Sequence, residues 1–512
     1  MRAKKLLQIT RRLRSRLNQQ LNRKTVISNP RLFNLDWVRE FLPHYLSAEP
    51  SLLHRELIHD LGELVGTRGR KLTRIAPRGS AKTTYASKAF PLYCVCENVE
   101  PYTLLLSDSA EQSESFLDAI KGELEDNPHI ARAYPDAAGV GPVWQSGRIR
   151  TRNGCMIATK GAGGRIRGLT KRHRRPTLVI VDDPNEDADA YSETKRRRKL
   201  NWLMKGVLPI GEPTTNFVCV GTAIHSEAIP CELSRHGGWD TRSYRSVIEW
   251  PSRNDLWHEW ELLYTNLANQ KRGETARAFY EANHAEMDRG AQVLWPARFP
   301  LYELMCLRAT MGESAFACEY QDEPGTSGAT EWPSEYFNHP DFWVDALPSR
   351  SERLNTVQSL DPSKGVNDRP GDWQAHVAVA LCKDGVLYFD ADFRREDVKR
   401  MVERSADLAD LWGSITLVAE ANSTMGFLAA EYEELIRGGR LPNTQLKTMT
   451  NTDHKSCRIR EVGLYLARHR VRVVNGQGGR DLVRQWRDWP NGQYDDGPDA
   501  AGVAVRYLAS TA

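Results

Sequence analysis

Three things are missing from this sequence. No two cysteines stand at C-x-x-C spacing, and no acidic residue precedes Asp36. No uninterrupted apolar run approaches the ~20 residues a membrane-spanning helix requires. The first absence excludes a zinc ribbon or a paired redox motif. The nine cysteines are scattered, Cys94 and Cys96 stand one residue apart, and all read as free thiols of a reducing compartment. The missing apolar run excludes a spanning helix.

The missing acids leave a basic N-terminal arm over 1–34, with Arg2, Lys4, Lys5, Arg11, Arg12, Arg14, Arg16, Arg23 and Lys24. Two more basic clusters follow, Lys171 to Arg175 and Lys195 to Lys199, although the net charge is only +4. Such clusters attract phosphate backbones by counterion release. Any one of them reads equally well as a solvated face.

At 512 residues the chain exceeds one compact core, and 40% hydrophobic with 27% charged residues is ordinary for a globular protein. Residues 35–65 have helical periodicity. From about residue 71 strands alternate with helices: Leu72 to Ala76, Tyr102 to Ser107, Leu178 to Asp182 and Phe217 to Val220 read as strands, and Ser109 to Glu125 as a helix. That alternation predicts an α/β fold with a mostly parallel sheet. The Gly- and Pro-rich stretch Asp322 to Trp332 reads as a linker. Strands are predicted after it at Thr356 to Leu360, His376 to Leu381, Val386 to Phe389 and Ile415 to Ala419, with a hairpin turn at Lys383-Asp384-Gly385.

Between the first strand and its helix stands Pro77-Arg78-Gly79-Ser80-Ala81-Lys82-Thr83-Thr84. A phosphate-binding loop needs small residues whose N–H groups wrap phosphates, a lysine for the β/γ charge and a hydroxyl for Mg²⁺. Lys82 and Thr83 supply the last two, while Ala76 and Ala81 replace the usual glycines. Leu178 to Val181 is an apolar strand delivering Asp182 and Asp183 at its tip, where an α/β sheet binds ligands. Asp182 suits the Mg²⁺ side. Asp183 stands where a motor ATPase has a water-polarising glutamate, with Glu186 the nearest alternative. A third apolar strand ends at Gly221-Thr222, whose hydroxyl can sense the γ-phosphate. An arginine stabilises phosphoryl transfer by roughly 10³-fold or more; Arg78, Arg165 and Arg167 are the candidates.

Asp361 and Glu420 close two later strands, and Asp495 and Asp496 precede a final apolar helix. Acids from separate segments can hold two hard cations about 4 Å apart for phosphodiester cleavage. Asp372 is an accessory candidate, and Asp499 reads as a cap of the last helix.

Taken together, PRGSAKTT, LVIVDDP, VGTAIH, VLWPARFP with FACEYQDEP, and then LDPSKG, VAEANSTMG and YDDGPDA resemble the large terminase subunit of tailed bacteriophages. The resemblance implies a P-loop RecA-like ATPase over 35–325, a linker over 326–345 and a ribonuclease-H-like nuclease over 346–512. It implies Lys82, Thr83, Asp182 and Mg²⁺ around ATP, with Arg78, Asp183 and Thr222 beside them. Asp361, Glu420, Asp495 and Asp496 would hold two Mg²⁺ or Mn²⁺ ions. Double-stranded DNA, a portal on a procapsid, a small terminase subunit and copies of the chain in a ring are the implied partners. The implied place is the host cytoplasm and, transiently, the portal vertex. Asp183 for Glu, and Glu420 where many relatives carry Asp, depart from the pattern. Two other readings remain: a translocase whose C-terminal part binds DNA without cutting, and a nucleotide-binding structural adaptor.

Overall fold

The computed structural model describes residues 31–164, 175–186, 189, 192–324, 331–362, 373–420, 425–441, 444–449 and 455–511. The basic arm up to residue 30, Arg165, Arg167, residues 171–174 and Asp372 lie outside the described residues. The chain divides into two compact units, Met1–Tyr244 and Arg245–Ala512.

In the first unit the helical stretch is two helices rather than one. Leu35–Phe41 stops before Pro43, which cannot continue it, and α1, Leu52–Leu64, starts afresh at Ser51. Eight strands form one sheet among the described residues: β1 Lys71–Ile75, β2 Tyr102–Ser107, β3 Val143–Gln145, β4 Arg148–Arg150, β5 Met156–Gly161, β6 Leu178–Asp182, β7 Asn216–Gly221 and β8 Asp240–Ser243. Their order is β3-β4-β5-β2-β6-β7-β1-β8. β4 runs antiparallel to both of its neighbours, β3 and β5, and all other neighbours are parallel. β2, β6 and β7 are buried along their whole length, as a sheet covered on both faces demands. Leu104, Leu106, Val179, Val181 and Cys219 pack there with Leu203, Val207, Ile229 and Leu233. Arg74 on β1 is fully buried, and its Nη2 lies 2.7 Å from Asp60 of α1 and 3.2 Å from Asp240 of β8. Those pairs fix β1, and with it the loop that β1 feeds, between its neighbours.

The second unit begins with a two-stranded ribbon, β9 Val247–Glu249 and β10 Gln292–Val293. Four helices gather around it: α2 Asn254–Tyr264, α3 Arg272–Met287, α4 Leu301–Met311 and α5 Glu313–Tyr320. Trp257, Trp260, Tyr302, Met305 and Phe316 form their core. A seven-stranded mixed sheet follows, with β11 Trp343–Val344, β12 Arg353–Asp361, β13 Gln374–Cys382, β14 Leu387–Arg394, β15 Thr416–Glu420, β16 Gln445–Met449 and β17 Val471–Val474. The order is β11-β17-β14-β13-β12-β15-β16. β12, β13 and β14 form an antiparallel meander, turned by Gly385 at φ 78°, and the other neighbours are parallel.

Helices cover both faces. α6 Val398–Trp412 and α7 Met425–Arg437 serve one, and α8 Lys455–Ala467, α9 Gln477–Asp488 and α10 Asp496–Thr511 serve the other. Leu360, Met401, Leu417 and Tyr432 pack on the first side, and Val377, Phe389, Val462, Trp486 and Ala504 on the second.

The boundary between the units falls at Tyr244/Arg245, ahead of Asp322 to Trp332, the stretch whose composition reads as a linker. The physical reason is where the aromatics go. Trp332, Phe337 and Phe342 are buried in the second unit's core, and Glu331 pairs with Arg460 at 2.8 Å. Glu261 of α2 pairs with Arg468 at 2.6 Å, which ties the helical cluster to the same unit. No helix among the described residues is long and apolar enough to cross a membrane.

Phe389 is fully buried, edge-on to Trp486 at 5.2 Å between ring centroids. Phe389→Ala is expected to cost the second unit about 3–5 kcal/mol. Leu411→Ala, at a residue 75% exposed, should change stability by less than about 0.5 kcal/mol. Urea denaturation of the two variants compares them.

Candidate functional site

β1 ends at Ile75, and the chain turns through 76–83 before entering a helical stretch whose first part, Thr84–Ala89, is π-wound. The turn uses two left-handed residues, Gly79 at φ 73° and Ala81 at φ 59°. Glycine adopts that conformation freely, whereas alanine pays roughly 1–2 kcal/mol for it. Pro77 and Ser80 close the turn, the Ser80 N–H donating to the Pro77 carbonyl at 3.3 Å, and Ala76 N–H donates to Gly221 of β7 at 2.9 Å. Arg78 and Gly79 are exposed, and Lys82 is buried.

β7 lies between β1 and β6, so the lysine loop and the acid pair stand two strand spacings apart, about 9–10 Å. Lys82 spans that gap. Its ammonium donates to Thr222 Oγ1 at 2.9 Å and lies 3.2 Å from Asp183 Oδ2. Thr83 Oγ1 donates to Asp182 Oδ1 at 3.0 Å, and Ser87 donates to the other Asp182 oxygen. Asp183 Oδ1 accepts the Thr222 N–H at 3.0 Å. One site thus joins Lys82, Thr83, Asp182, Asp183 and Thr222, from loop, helix and two strand tips. Thr84 begins the π-wound turn that follows the cluster.

The site is charged and strained. Burial, and after it the charge of Asp183, push the Asp182 carboxyl up to about 7. A hard cation beside it would hold it ionised. Asp183 sits at φ 40°, a costly conformation for a non-glycine residue and one found at functional sites. Gly221 makes room for Pro230 on the pocket wall: a Cβ there would stand 2.6 Å from Pro230 Cγ. A pocket of about 100 Å³ is lined by Arg78, Asp183, Asn185 and Thr222. Glu186 turns instead to Lys199, at 3.4 Å. Of the two acids offered for the water-polarising role, Asp183 is the one beside Lys82.

His54 carries no motif by which sequence reasoning could have found it. It is fully buried on α1, its Nδ1 accepting the Ser51 N–H at 2.9 Å and its Nε2 lying 2.7 Å from the Ser80 carbonyl. An N–H donor on one nitrogen and a carbonyl on the other dictate the neutral Nε2–H tautomer. Burial also lowers its pKa. His54 therefore pins the turn of the loop to α1.

In the second unit, Asp361 closes β12 and Asp495 precedes α10; both face the Lys455 ammonium, at 3.6 and 3.0 Å. Asp499 joins them at 3.3 Å, and Arg458 grips Asp499 with two hydrogen bonds of 3.0 Å. Asp499 is therefore more than a helix cap. Asp496 accepts the Trp373 N–H at 3.4 Å. Glu420 closes β15, and its side chain lies outside the described residues. Among the described residues no group of three or more His, Cys, Asp or Glu closes on a common metal position. Asp361 and Asp495 nevertheless share one cation, and carboxylates so placed suit a hard divalent ion. Lys455 and Arg458 escaped sequence reading because an i, i+3 basic pair on a helix reads as solvated surface.

No protein-family model matches the chain, and a search of curated proteins finds no match. Among solved structures, the chain is similar to the crystal structure of the HK97 bacteriophage large terminase at 12% identity. That match covers 89% of this chain and 94% of the other, with a TM-score of 0.29.

Because burial depresses the His54 pKa in the fold, its stabilising contribution is complete above the unfolded value of about 6.5 and is lost as pH falls through the folded value. Urea denaturation should show the first unit losing stability progressively on that acid side. His54→Ala should lower its stability at pH 7.5 by about 1–3 kcal/mol, in line with the loss of one or two hydrogen bonds, and flatten the acid-side fall. Unchanged stability in the variant would mean the loop keeps its shape without this anchor.

Proposed function

We propose that this protein is an ATP-driven motor that packages double-stranded DNA and cuts it with a metal-dependent endonuclease. The observation carrying the proposal is the junction of Lys82 with Thr222 and Asp183, beside the Thr83–Asp182 pair. A lysine, a hydroxyl and two carboxylates, the kinds of group that nucleotide hydrolysis uses, stand within reach of one another. In this reading the first unit is a P-loop RecA-like ATPase and the second a ribonuclease-H-like nuclease.

With ATP bound, Lys82 would transfer from Asp183 to the β/γ-phosphates, freeing Asp183 to orient the attacking water. Arg78, on the pocket wall, would meet charge on the transferring phosphoryl group. Thr222, bonded to both Lys82 and Asp183, would register loss of the γ-phosphate. Asp182 and Thr83 would hold Mg²⁺, and Asp361, Glu420, Asp495 and Asp496 would hold two Mg²⁺ or Mn²⁺ ions. Bound there, such ions supply charge neutralisation at the nucleotide and a clamp on the attacking and leaving oxygens of the phosphodiester. The portal, procapsid, small terminase subunit and ring of copies belong to the same proposal.

One observation favours a second reading, a translocase whose second unit binds DNA without cutting. Lys455 and Arg458 already neutralise Asp361, Asp495 and Asp499. A structural adaptor is disfavoured, since an adaptor has no need of a lysine buried between two strand tips.

Lys82→Ala is expected to cut ATP hydrolysis by about 10²-fold or more, measured as phosphate release. Plasmid cleavage with Mn²⁺ should vanish both in EDTA and in Asp361→Ala. Cutting that survives Asp361→Ala would place the nuclease centre elsewhere; an uncut plasmid with the wild type would favour the non-cleaving translocase.

A further inference from the structure

The helix α11, Glu193–Trp202 in the first unit, carries the third basic cluster, and the fold splits that cluster in two. Arg196 and Lys199, three residues apart, face inward. Lys199 Nζ lies 2.6 Å from Asp108 and 2.7 Å from Asp189, with Glu186 at 3.4 Å. Arg196 is buried, 2.9 Å from Glu227, and donates to the Asp189 carbonyl at 3.0 Å. Asp108 follows β2, Glu186 and Asp189 follow β6, and Glu227 follows β7. Two cations of one helix are thus tied to the tips of three adjacent strands.

One of these ties begins on the pocket wall. Asn185 Nδ2 donates to Asp189 Oδ2 at 3.1 Å, and Asn185 Oδ1 accepts the Ile229 N–H at 2.9 Å. Asn185, next to Asp183, is therefore connected through Asp189 and Lys199 to the helix. Buried ion pairs resist rearrangement, because separating one leaves an uncompensated buried charge.

The other face carries Lys195, Arg197 and Arg198, with Lys205 just beyond the helix, all exposed. No acid occurs between Glu193 and Glu212. Arg197 stands 3.6 Å from Glu193, whereas Lys195, Arg198 and Lys205 have no ion-pair partner among the described residues. At 1.5 Å per residue, Lys195 to Lys205 spans about 15 Å, which covers roughly four phosphates of one DNA strand at 3.4 Å axial spacing.

We propose that α11 is a DNA-gripping helix: its outer cations bind the backbone of duplex DNA, and its inner cations link that grip to the nucleotide site. The proposal rests on the ATPase reading of the first unit and adds the surface through which hydrolysis acts on DNA. Contact with phosphates alone makes the grip independent of base sequence.

The test uses the full chain, fluorescein-labelled duplex DNA and a non-hydrolysable ATP analogue, with anisotropy as the readout. The variant Lys195→Ala/Arg197→Ala/Arg198→Ala/Lys205→Ala should bind duplex at least tenfold more weakly. Its slope of log affinity against log salt should fall by about 3–4, and its DNA-free ATP turnover should stay at the wild-type level. Glu227→Gln should keep DNA affinity but narrow the difference between affinities measured with and without the analogue. Wild-type affinity and slope in the quadruple variant overturn the surface, and a wild-type DNA affinity indifferent to the analogue overturns the linkage. Failure of the wild type to bind the analogue at all overturns the ATPase reading and this proposal with it, an outcome recognised by analogue binding measured without DNA.

Discussion

The first unit's candidate site depends on a buried ammonium. Lys82 is almost without solvent, and an ammonium so placed is tolerable only with opposite charge and good hydrogen bonds around it. Thr222 and Asp183 supply these, which requires the tips of β6 and β7 to meet the loop after β1 within hydrogen-bond distance. The parallel order of those three strands is what brings the tips together. Arg74, buried between α1 and β8, keeps β1 in place, and His54 pins the loop's turn. In the proposed ATPase reading, a nucleotide would take over these partners' role without leaving the ammonium a bare charge.

The second unit solves a similar problem with the signs exchanged. Its carboxylates come from β12 and from the start of α10, and Lys455 sits among them. Burial alone would lower the lysine's pKa, yet Asp361, Asp499 and Asp495 together raise it. The ammonium therefore stays charged and holds the carboxylates together. The acids are drawn into one place by topology: β12 is central in its sheet, and the start of α10 abuts its end.

Strain concentrates where the chemistry is proposed. Ala81 and Asp183 both take left-handed backbone, and the helix after Lys82 opens with a π-wound turn. None of these favours stability by itself, and each aims a group: the loop's N–H donors, the acid beside the lysine, and Ser87 at Asp182.

The alternation of apolar runs with polar turns fixed the strands and the mixed α/β class, because period and burial are local properties of a sequence. The same holds for the lysine loop and the acid-tipped strand, whose residue types carry their chemistry at short spacing. Other features needed the tertiary structure. The turn formers near 325 suggested a loose linker, but Trp332, Phe337 and Phe342 are buried, since burial depends on partners distant in the chain. The basic run Lys195 to Lys199 looked uniform, and only packing decided that Arg196 and Lys199 turn inward to Glu227, Asp108 and Asp189. His54, Lys455 and Arg458 were illegible for the same reason: each acts on a group 26 to 94 residues away, on another element, and no local spacing encodes such a contact.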